Sequence, residues 1–408
     1  MTTAGTTAAP LRFAPGAAPR LAALPPLAVY VHIPGCVRKC PYCDFNSHAV
    51  LGNSHEKTDA LPEREYVDAL LGDLESLLPS VWGRRAASVF IGGGTPSLFS
   101  PESIARLVSE LRARLPLEPD AEITLEANPG TAEAARFRGY RDAGVNRLSI
   151  GVQSFDDAKL AALGRIHDAR EARRAIELAL DSFGNVNIDL MYGLPGQVLA
   201  EARADLEQAA QSGAAQVSAY QLTIEPNTVF HRRPPRLPEH DLCADMQRMA
   251  EDTLGAAGYQ QYETSAFARA GFRCRHNLNY WQFGDYLGLG AGAHGKLSFA
   301  ERITRHARVK TPRDYLAAAR RGATLVEERV VEARELPFEF MLNALRLVEG
   351  FAEQLFAERT GLARSAIEPA LGRAAALGLI ERDAGRVRPS ARGRLFLNDL
   401  VELFLEKD

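Results

Sequence analysis

The chain has no apolar run near the roughly 20 residues that a membrane-spanning helix needs. Its opening stretch carries no signal-peptide core, because Pro10, Pro15, Pro19, Pro25 and Pro26 interrupt a segment rich in Ala, Pro and Thr. Residues 1–26 therefore read as a flexible extension, and the expectation is a cytoplasmic protein. Charge of one sign is also missing. A net charge of -3 over 408 residues gives no global attraction to nucleic acid or acidic lipid. Cysteine is scarce, and three of the five cysteines fall in one short window, which is metal-site clustering rather than a disulfide framework. The glycine run Gly92-Gly93-Gly94 lacks the Lys-Ser/Thr pair of a P-loop.

What is present starts with that window. Cys36, Cys40 and Cys43 follow the apolar run Ala28–Ile33. Three thiolates can hold three irons of a cubane [4Fe–4S] cluster and leave the fourth without a protein ligand. An open position points to chemistry, as it does when catalytic zinc is compared with structural zinc. Zinc stays open as an alternative, with His32 or His48 completing the set. Either reading requires reduced thiolates and hence a reducing compartment.

The length suggests two or three domains. Short β-branched or apolar runs at 27–33, 87–91, 122–127, 147–152, 185–191 and 216–223 predict strands. Stretches rich in Ala, Leu, Glu and Arg at 63–78, 101–115, 131–143, 169–180 and 197–212 predict the helices between them. This alternation predicts an α/β chain with an incomplete (β/α) barrel; a full eightfold barrel or an open sheet is the competing arrangement. Polar and glycine-rich signals gather at the strand ends. They are the cysteine loop, Gly92–Thr95, Glu126, Gln153 and Asp189, with Arg165 nearby. Parallel α/β folds build their sites at the carboxyl ends of strands, so these separate points are expected to meet in one cleft. Taken alone, the glycine run could be a plain tight turn.

The connecting region, residues 236–335, carries His276-Asn277-Leu278-Asn279-Tyr280-Trp281 and a glycine-rich stretch, 288–295, expected as tight strand-and-loop structure. His276 offers an imidazole to iron, and Tyr280 and Trp281 offer apolar faces to a porphyrin. The plainer alternative has His276 capping a turn and the aromatics filling a core. Cys274 is a second possible iron ligand or covalent attachment point. His294, flanked by glycines, reads as structural. Residues 336–408 predict helices at 338–347, 351–357, 363–377 and 391–405 around a hairpin at 379–388, a winged-helix-like arrangement. Arg364, Glu368 and Arg373 give its candidate recognition helix little positive excess, so packing is expected there rather than DNA binding.

The cysteine run resembles the defining motif of the radical S-adenosylmethionine (radical SAM) enzymes. Tyr30-Val31-His32-Ile33-Pro34, Gly92–Ser97, Glu126–Pro129, Ser149–Phe155 and Asp189–Gln197 narrow the resemblance to the oxygen-independent coproporphyrinogen III oxidase-like family, from about Leu27 to the C-terminus. The resemblance implies an incomplete (β/α)6 radical SAM barrel over residues 27–235, with a C-terminal α/β extension and the winged-helix-like domain. It implies that Cys36, Cys40 and Cys43 ligate the [4Fe–4S] cluster. It further implies that Tyr30, Gly93, Gly94, Thr95, Glu126, Gln153, Arg165 and Asp189 hold S-adenosyl-L-methionine.

Two branches of that family differ in role. One contains true decarboxylases, with a further cysteine two residues after the trio and an extended N-terminal helical segment. Here that cysteine position is Phe45, the segment is lacking, and the His276–Trp281 run matches the His-Asn-x-x-Tyr-Trp signature of the other, haem-chaperone branch. The implied function is haem binding and transfer to apo-haemoprotein acceptors, membrane-bound respiratory enzymes among them through a peripheral membrane encounter. Haem would associate around His276, Tyr280 and Trp281. A cluster-dependent homodimer is a further expectation. The alternative is radical decarboxylation of coproporphyrinogen III.

Overall fold

Alternation along each strand decides which face meets the helices. In β1 (Leu27–Ile33), Leu27, Val29, Val31 and Ile33 join the main apolar core. The opposite face carries Tyr30 and His32. Five more strands follow the same rule: β2 (Ala86–Gly93), β3 (Leu117–Ala127), β4 (Arg147–Gln153), β5 (Val186–Tyr192) and β6 (Gln216–Gln221). All six run parallel, each beside the next. This is the incomplete (β/α)6 barrel, in a computed structural model that describes residues 19–49, 61–131 and 134–406.

The helices α1 (Glu63–Leu77), α2 (Pro101–Arg114), α3 (Ala134–Asp142), α4 (Asp157–Ala162), α5 (Ala169–Ser182) and α6 (Leu199–Gln211) lie between the strands in sequence. Their starts are written locally. Ser100 accepts from the Ser103 N–H ahead of Pro101 at the first turn of α2, and Asp168 forms a reciprocal capping box with Glu171 at α5. Such caps each contribute about 1 kcal/mol.

The region after β6 extends the sheet at both edges. Beyond α7 (Val229–Arg232) and α8 (His240–Ala256), short strands β7 (Gln260–Gln261) and β8 (Ala266–Ala268) add next to β6. The chain then forms α9 (Arg275–Trp281) and returns to the far edge. There β9 (Asp285–Leu289) pairs parallel with β1, followed by antiparallel β10 (His294–Phe299), β11 (Arg302–Arg308) and β12 (Leu325–Val330), with α10 (Pro312–Ala319) between the last two. The result is one 12-stranded sheet, and the glycine-rich stretch 288–295 is its β9–β10 connection.

Two buried carboxylates fasten these added strands. Asp285 meets Lys296 at 3.0 Å and Arg84 at 2.8 Å, and accepts from the Ser298 N–H and hydroxyl. Asp73 of α1 pairs with Arg308 at 3.0 Å and accepts from the Gly290 N–H and the Tyr315 hydroxyl. Each is surrounded by donors, as a buried charge requires.

The C-terminal part has its own core, with Phe340, Phe351, Phe356, Leu371 and Phe404 at its centre. It comprises α11 (Leu336–Ala344), β13 (Phe351–Ala352), α12 (Glu353–Thr360), α13 (Glu368–Ala376), the hairpin β14 (Ile380–Asp383) and β15 (Arg386–Pro389), α14 (Ala391–Leu395) and α15 (Leu397–Glu402). The single terminal helix expected from the sequence is two, because Phe396 leaves the helical region at φ -113° and ψ 44°. The expected extension of 26 residues also ends earlier. The Arg20 and Leu21 N–H groups bond Gly361 O and Ala300 O, and the Leu21 side chain is buried in the C-terminal core. Residues 1–18 lie outside the described residues.

Candidate active site at the mouth of the barrel

The cysteine loop leaves β1 at Pro34 and is closed by a parallel pairing of Gly35 and Cys36 with His48 and Ala49. The glycine run at the end of β2 laces onto it. Gly94 N–H donates to Ile33 O at 2.8 Å, and Thr95 N–H to Gly35 O at 2.7 Å. A Cβ on Gly94 would lie 2.6 Å from Gly35 O, and Gly93, at φ 121°, would press one to 2.7 Å from the His32 ring. The glycines are thus required for close approach to the cysteine loop, beyond the needs of a simple turn.

Cys36, Cys40 and Cys43 are free thiols, each partly exposed, on the wall of one cavity of about 420 Å³. Thr95 Oγ1 donates to Cys36 Sγ at 3.6 Å, Arg165 Nη1 to Cys40 Sγ at 3.7 Å, and the Ser47 hydroxyl lies 3.4 Å from Cys43 Sγ. Burial pushes the Cys36 pKa up, with the neighbouring thiols adding to it. Coordination to iron reverses that preference, because a metal-bound thiol is deprotonated. The donor set fits a cluster: soft sulphur, solvent access, and hydrogen-bond donors aimed at sulphur. Of the two histidines in the zinc alternative, His48 has its Nε2 3.1 Å from Asn46 Oδ1, and His32 has both nitrogens engaged. His32 Nδ1 meets the Tyr30 hydroxyl at 2.9 Å and Nε2 meets Asn46 O at 2.9 Å. Among the described residues, no three His, Cys, Asp or Glu side chains gather around a single-ion position.

Seven of the eight positions expected to hold SAM line this same cavity: Gly93, Gly94, Thr95, Glu126, Gln153, Arg165 and Asp189. Tyr30 lies on the wall of a second, adjoining cavity of about 680 Å³, which shares Gly93, Glu126, Asp44 and Phe45 with the first. Glu126 accepts the Gly93 N–H at 2.9 Å; burial, reinforced by the Asp189 charge, raises its pKa to about 7. Burial also raises Asp189, against hydrogen bonds from Ser149, Ser218 and Asn187. Arg165 ties the cysteine loop to the strand ends, donating to Gly151 O at 2.6 Å and to Asn128 Oδ1 as well as to Cys40. Gln153 adopts a positive φ of 71° and accepts the Tyr220 hydroxyl at 2.8 Å. Strain of this kind in a non-glycine residue at a strand end is typical of a site.

The sequence reading missed Asn128, Ser149 and Tyr220 as cavity-lining residues. A signal existed. Thr124 and Glu126, Arg147 and Ser149, Asn187 and Asp189, Gln216, Ser218 and Tyr220 are polar at every second strand position. They mark the inner face of the barrel.

The His276–Trp281 run is helix α9, and its residues part company. The Arg275 and His276 N–H groups each donate to Glu122 at 3.1 Å, so a carboxylate on β3 caps the helix inside the barrel. His276 Nδ1 lies 3.0 Å from Ser88 Oγ, its ring stacks on Phe90 with centroids 5.0 Å apart, and Tyr280 meets it edge-on at 4.9 Å. It is 1 % exposed, and burial with the nearby Arg147 charge lowers its pKa to about 3. Sequence reasoning offered His276 to iron, but the structure encloses it behind Tyr30 and Tyr280. Tyr280 reaches the larger cavity. Trp281 turns the other way, where the Arg346 guanidinium lies 4.3 Å over its ring. Cys274 is fully buried against Glu122, and burial pushes its thiol up to about 12.

A barrel whose first strand feeds a three-cysteine loop, with a polar cavity at the strand ends, defines a radical SAM fold. The family model described as Radical SAM superfamily matches residues 30–209, and the HemN C-terminal domain matches residues 331–396. The solved structure of coproporphyrinogen III oxidase (HemN) from Escherichia coli superposes with a TM-score of 0.76 at 24% identity, covering 93% of this chain and 90% of that one. That likeness concerns the fold. Among curated relatives, "Heme chaperone HemW" of Haemophilus influenzae is 51% identical over 94% of this chain and 99% of its own length. The protein of the same name from Escherichia coli is also 51% identical, with the same coverage, and that of Bacillus subtilis is 33% identical over 93% of this chain. The chain belongs to the HemW family of the radical SAM superfamily.

Proposed function

We propose that this protein is a haem chaperone that binds haem and passes it to apo-haemoproteins, using a [4Fe–4S] cluster and SAM held at the mouth of its barrel. The observation that carries the reading is the meeting of three free thiols with a polar cavity that opens onto a larger aromatic one. Near-full-length likeness to proteins named heme chaperone supports the same reading.

Cys36, Cys40 and Cys43 would hold the cluster. When bound, the cluster supplies an iron open to the amino and carboxylate groups of SAM. Glu126 offers a carboxylate to the SAM ammonium, and its Gly93 hydrogen bond fixes where that carboxylate points. Arg165 places positive charge beside Cys40 and spans from the cysteine loop to Gly151. Asp189 and Gln153 line the smaller cavity, and Tyr30 lines the larger one beside it. In the His276–Trp281 run, Tyr280 would present its ring to haem, with His276 as its backing and Trp281 anchoring the helix to the C-terminal domain.

No described helix is long and apolar enough to cross a membrane; delivery to membrane-bound acceptors would then be a peripheral encounter. Pairing of two chains across the cluster edge is a further part of the proposal, read as molecular mass with and without iron. Decarboxylation is not adopted: Phe45, 63 % exposed at the cavity rim, stands where the decarboxylase branch carries its extra cysteine. The test is transfer. Haem-loaded, cluster-reconstituted protein should convert an apo-haemoprotein to its holo form, whereas multiple-turnover formation of protoporphyrinogen IX from coproporphyrinogen III, without transfer, would overturn the proposal.

A further inference from the structure

The three cysteine sulphurs each have one polar neighbour, and these neighbours come from three separate parts of the chain. Thr95, after β2, lies 3.6 Å from Cys36 Sγ, and Arg165, after α4, lies 3.7 Å from Cys40 Sγ. Ser47, at the end of the cysteine loop, lies 3.4 Å from Cys43 Sγ. A thiolate can only accept, so its neighbour must donate. Two of these donors share a partner. Asn128, the residue after β3, donates from Nδ2 to Thr95 Oγ1 at 2.8 Å and accepts at Oδ1 from Arg165 Nη2.

The direction of each bond follows from the groups themselves. A guanidinium has five N–H donors and no acceptor, so the amide atom that faces Arg165 must be the oxygen. The amino group then faces Thr95, and it can only donate. The Thr95 hydroxyl therefore accepts from Asn128 and turns its own proton away, toward Cys36 Sγ. The same amide oxygen holds the guanidinium at Nη2, which leaves Nη1 to reach Cys40 Sγ. One amide thus aims two donors. Its own place is fixed as well: its N–H donates to Ser97 Oγ at 3.4 Å. Gly151 leaves room for it, since a Cβ there would come 3.0 Å from Asn128 Oδ1.

We propose that Asn128 is a positioning residue for the cluster, turning the Thr95 hydroxyl and the Arg165 guanidinium onto two of the three ligating sulphurs and so setting how readily the cluster takes up an electron. This rests on the cluster reading above. Hydrogen bonds to ligating sulphur favour the reduced, more negative cluster and raise its reduction potential. The Arg165 bond is charge-assisted and the Thr95 bond is neutral, so Arg165 carries the larger share. Ser47 acts on Cys43 without passing through Asn128.

The test is a dye-mediated redox titration of the full, anaerobically reconstituted chain without SAM, read by electron paramagnetic resonance. Asn128→Leu and Asn128→Asp should each load the cluster and lower its potential by about tenfold in the reduction equilibrium, about 59 mV for one electron. In Asn128→Asp the second carboxylate oxygen accepts the Thr95 proton and draws it off Cys36. Thr95→Val should lower the potential too, yet add little on top of either Asn128 variant, because the hydroxyl it removes is already misaimed. Ser47→Ala should add its own shift in full. An unchanged potential in both Asn128 variants would overturn the proposal. So would shifts of Thr95→Val and an Asn128 variant that simply sum. Loss of the cluster from both Asn128 variants would also overturn it, by assigning the residue to assembly. A wild-type chain that takes up no iron would instead sink the cluster reading itself.

Discussion

Glu122 and Glu126 stand on the same inward face of β3, with Thr124 between them, and meet opposite surroundings. Glu122 is 6 % exposed and receives two N–H groups from α9 and the Cys274 thiol. Glu126 receives the Gly93 N–H, lines both cavities and has its pKa raised to about 7. One end of the barrel is a closed polar network that holds a helix in place. The other is an open polar surface whose groups face a cavity. Polarity inside a barrel therefore does not itself mark a site; polarity left exposed at the strand ends does.

Breaking the open end has the largest expected effect. Replacing Cys36, Cys40 or Cys43 by Ala should abolish cluster absorbance after anaerobic reconstitution, with the fold retained by circular dichroism. Removing the anchor at the closed end should do the reverse. Glu122→Ala leaves the Arg275 and His276 N–H groups without their acceptor and removes one of the negative charges near Arg147, and should cost about 3 kcal/mol in denaturant unfolding while iron loading persists. A Glu122 variant as stable as the parent would dissolve the contrast between the two ends.

The pH response of Glu126 sharpens it. A carboxyl with pKa about 7 when folded, against 4.5 ordinarily, holds its proton in the fold across that interval but not in the unfolded chain. Stability therefore falls as pH rises from about 4.5 to about 7, and Glu126→Gln should remove this slope. SAM binding should move the other way, tightening as the carboxylate forms near pH 7. At pH 8 Glu126→Gln should bind SAM about tenfold more weakly, with the difference vanishing near pH 5.5. Equal pH profiles by calorimetry would contradict this. The smallest effect belongs to Trp281→Leu, which should lower the unfolding free energy by about 1 kcal/mol through loss of the Arg346 contact.

Much of the open end was legible in the sequence. The three cysteines, the glycine run, Glu126, Gln153, Arg165 and Asp189 belong to one cavity, as strand-end convergence requires. The six strands and the helices between them also follow from their periodicity. The closed end was not legible. Burial of His276 depends on Ser88, Phe90 and Glu122, more than 150 residues away in the chain, and no local pattern announces such packing. The sheet extension β9–β12 was hidden for a similar reason: its fastening to Asp73 and Asp285 is a pairing of distant charges.

The most direct test of the account is Mössbauer spectroscopy of anaerobically reconstituted, iron-57-labelled protein, with and without SAM. The account predicts one [4Fe–4S] cluster per chain, with one iron site whose parameters change on SAM addition and three that do not. A fully thiolate-ligated cluster indifferent to SAM, or a chain that takes up no iron, would contradict it.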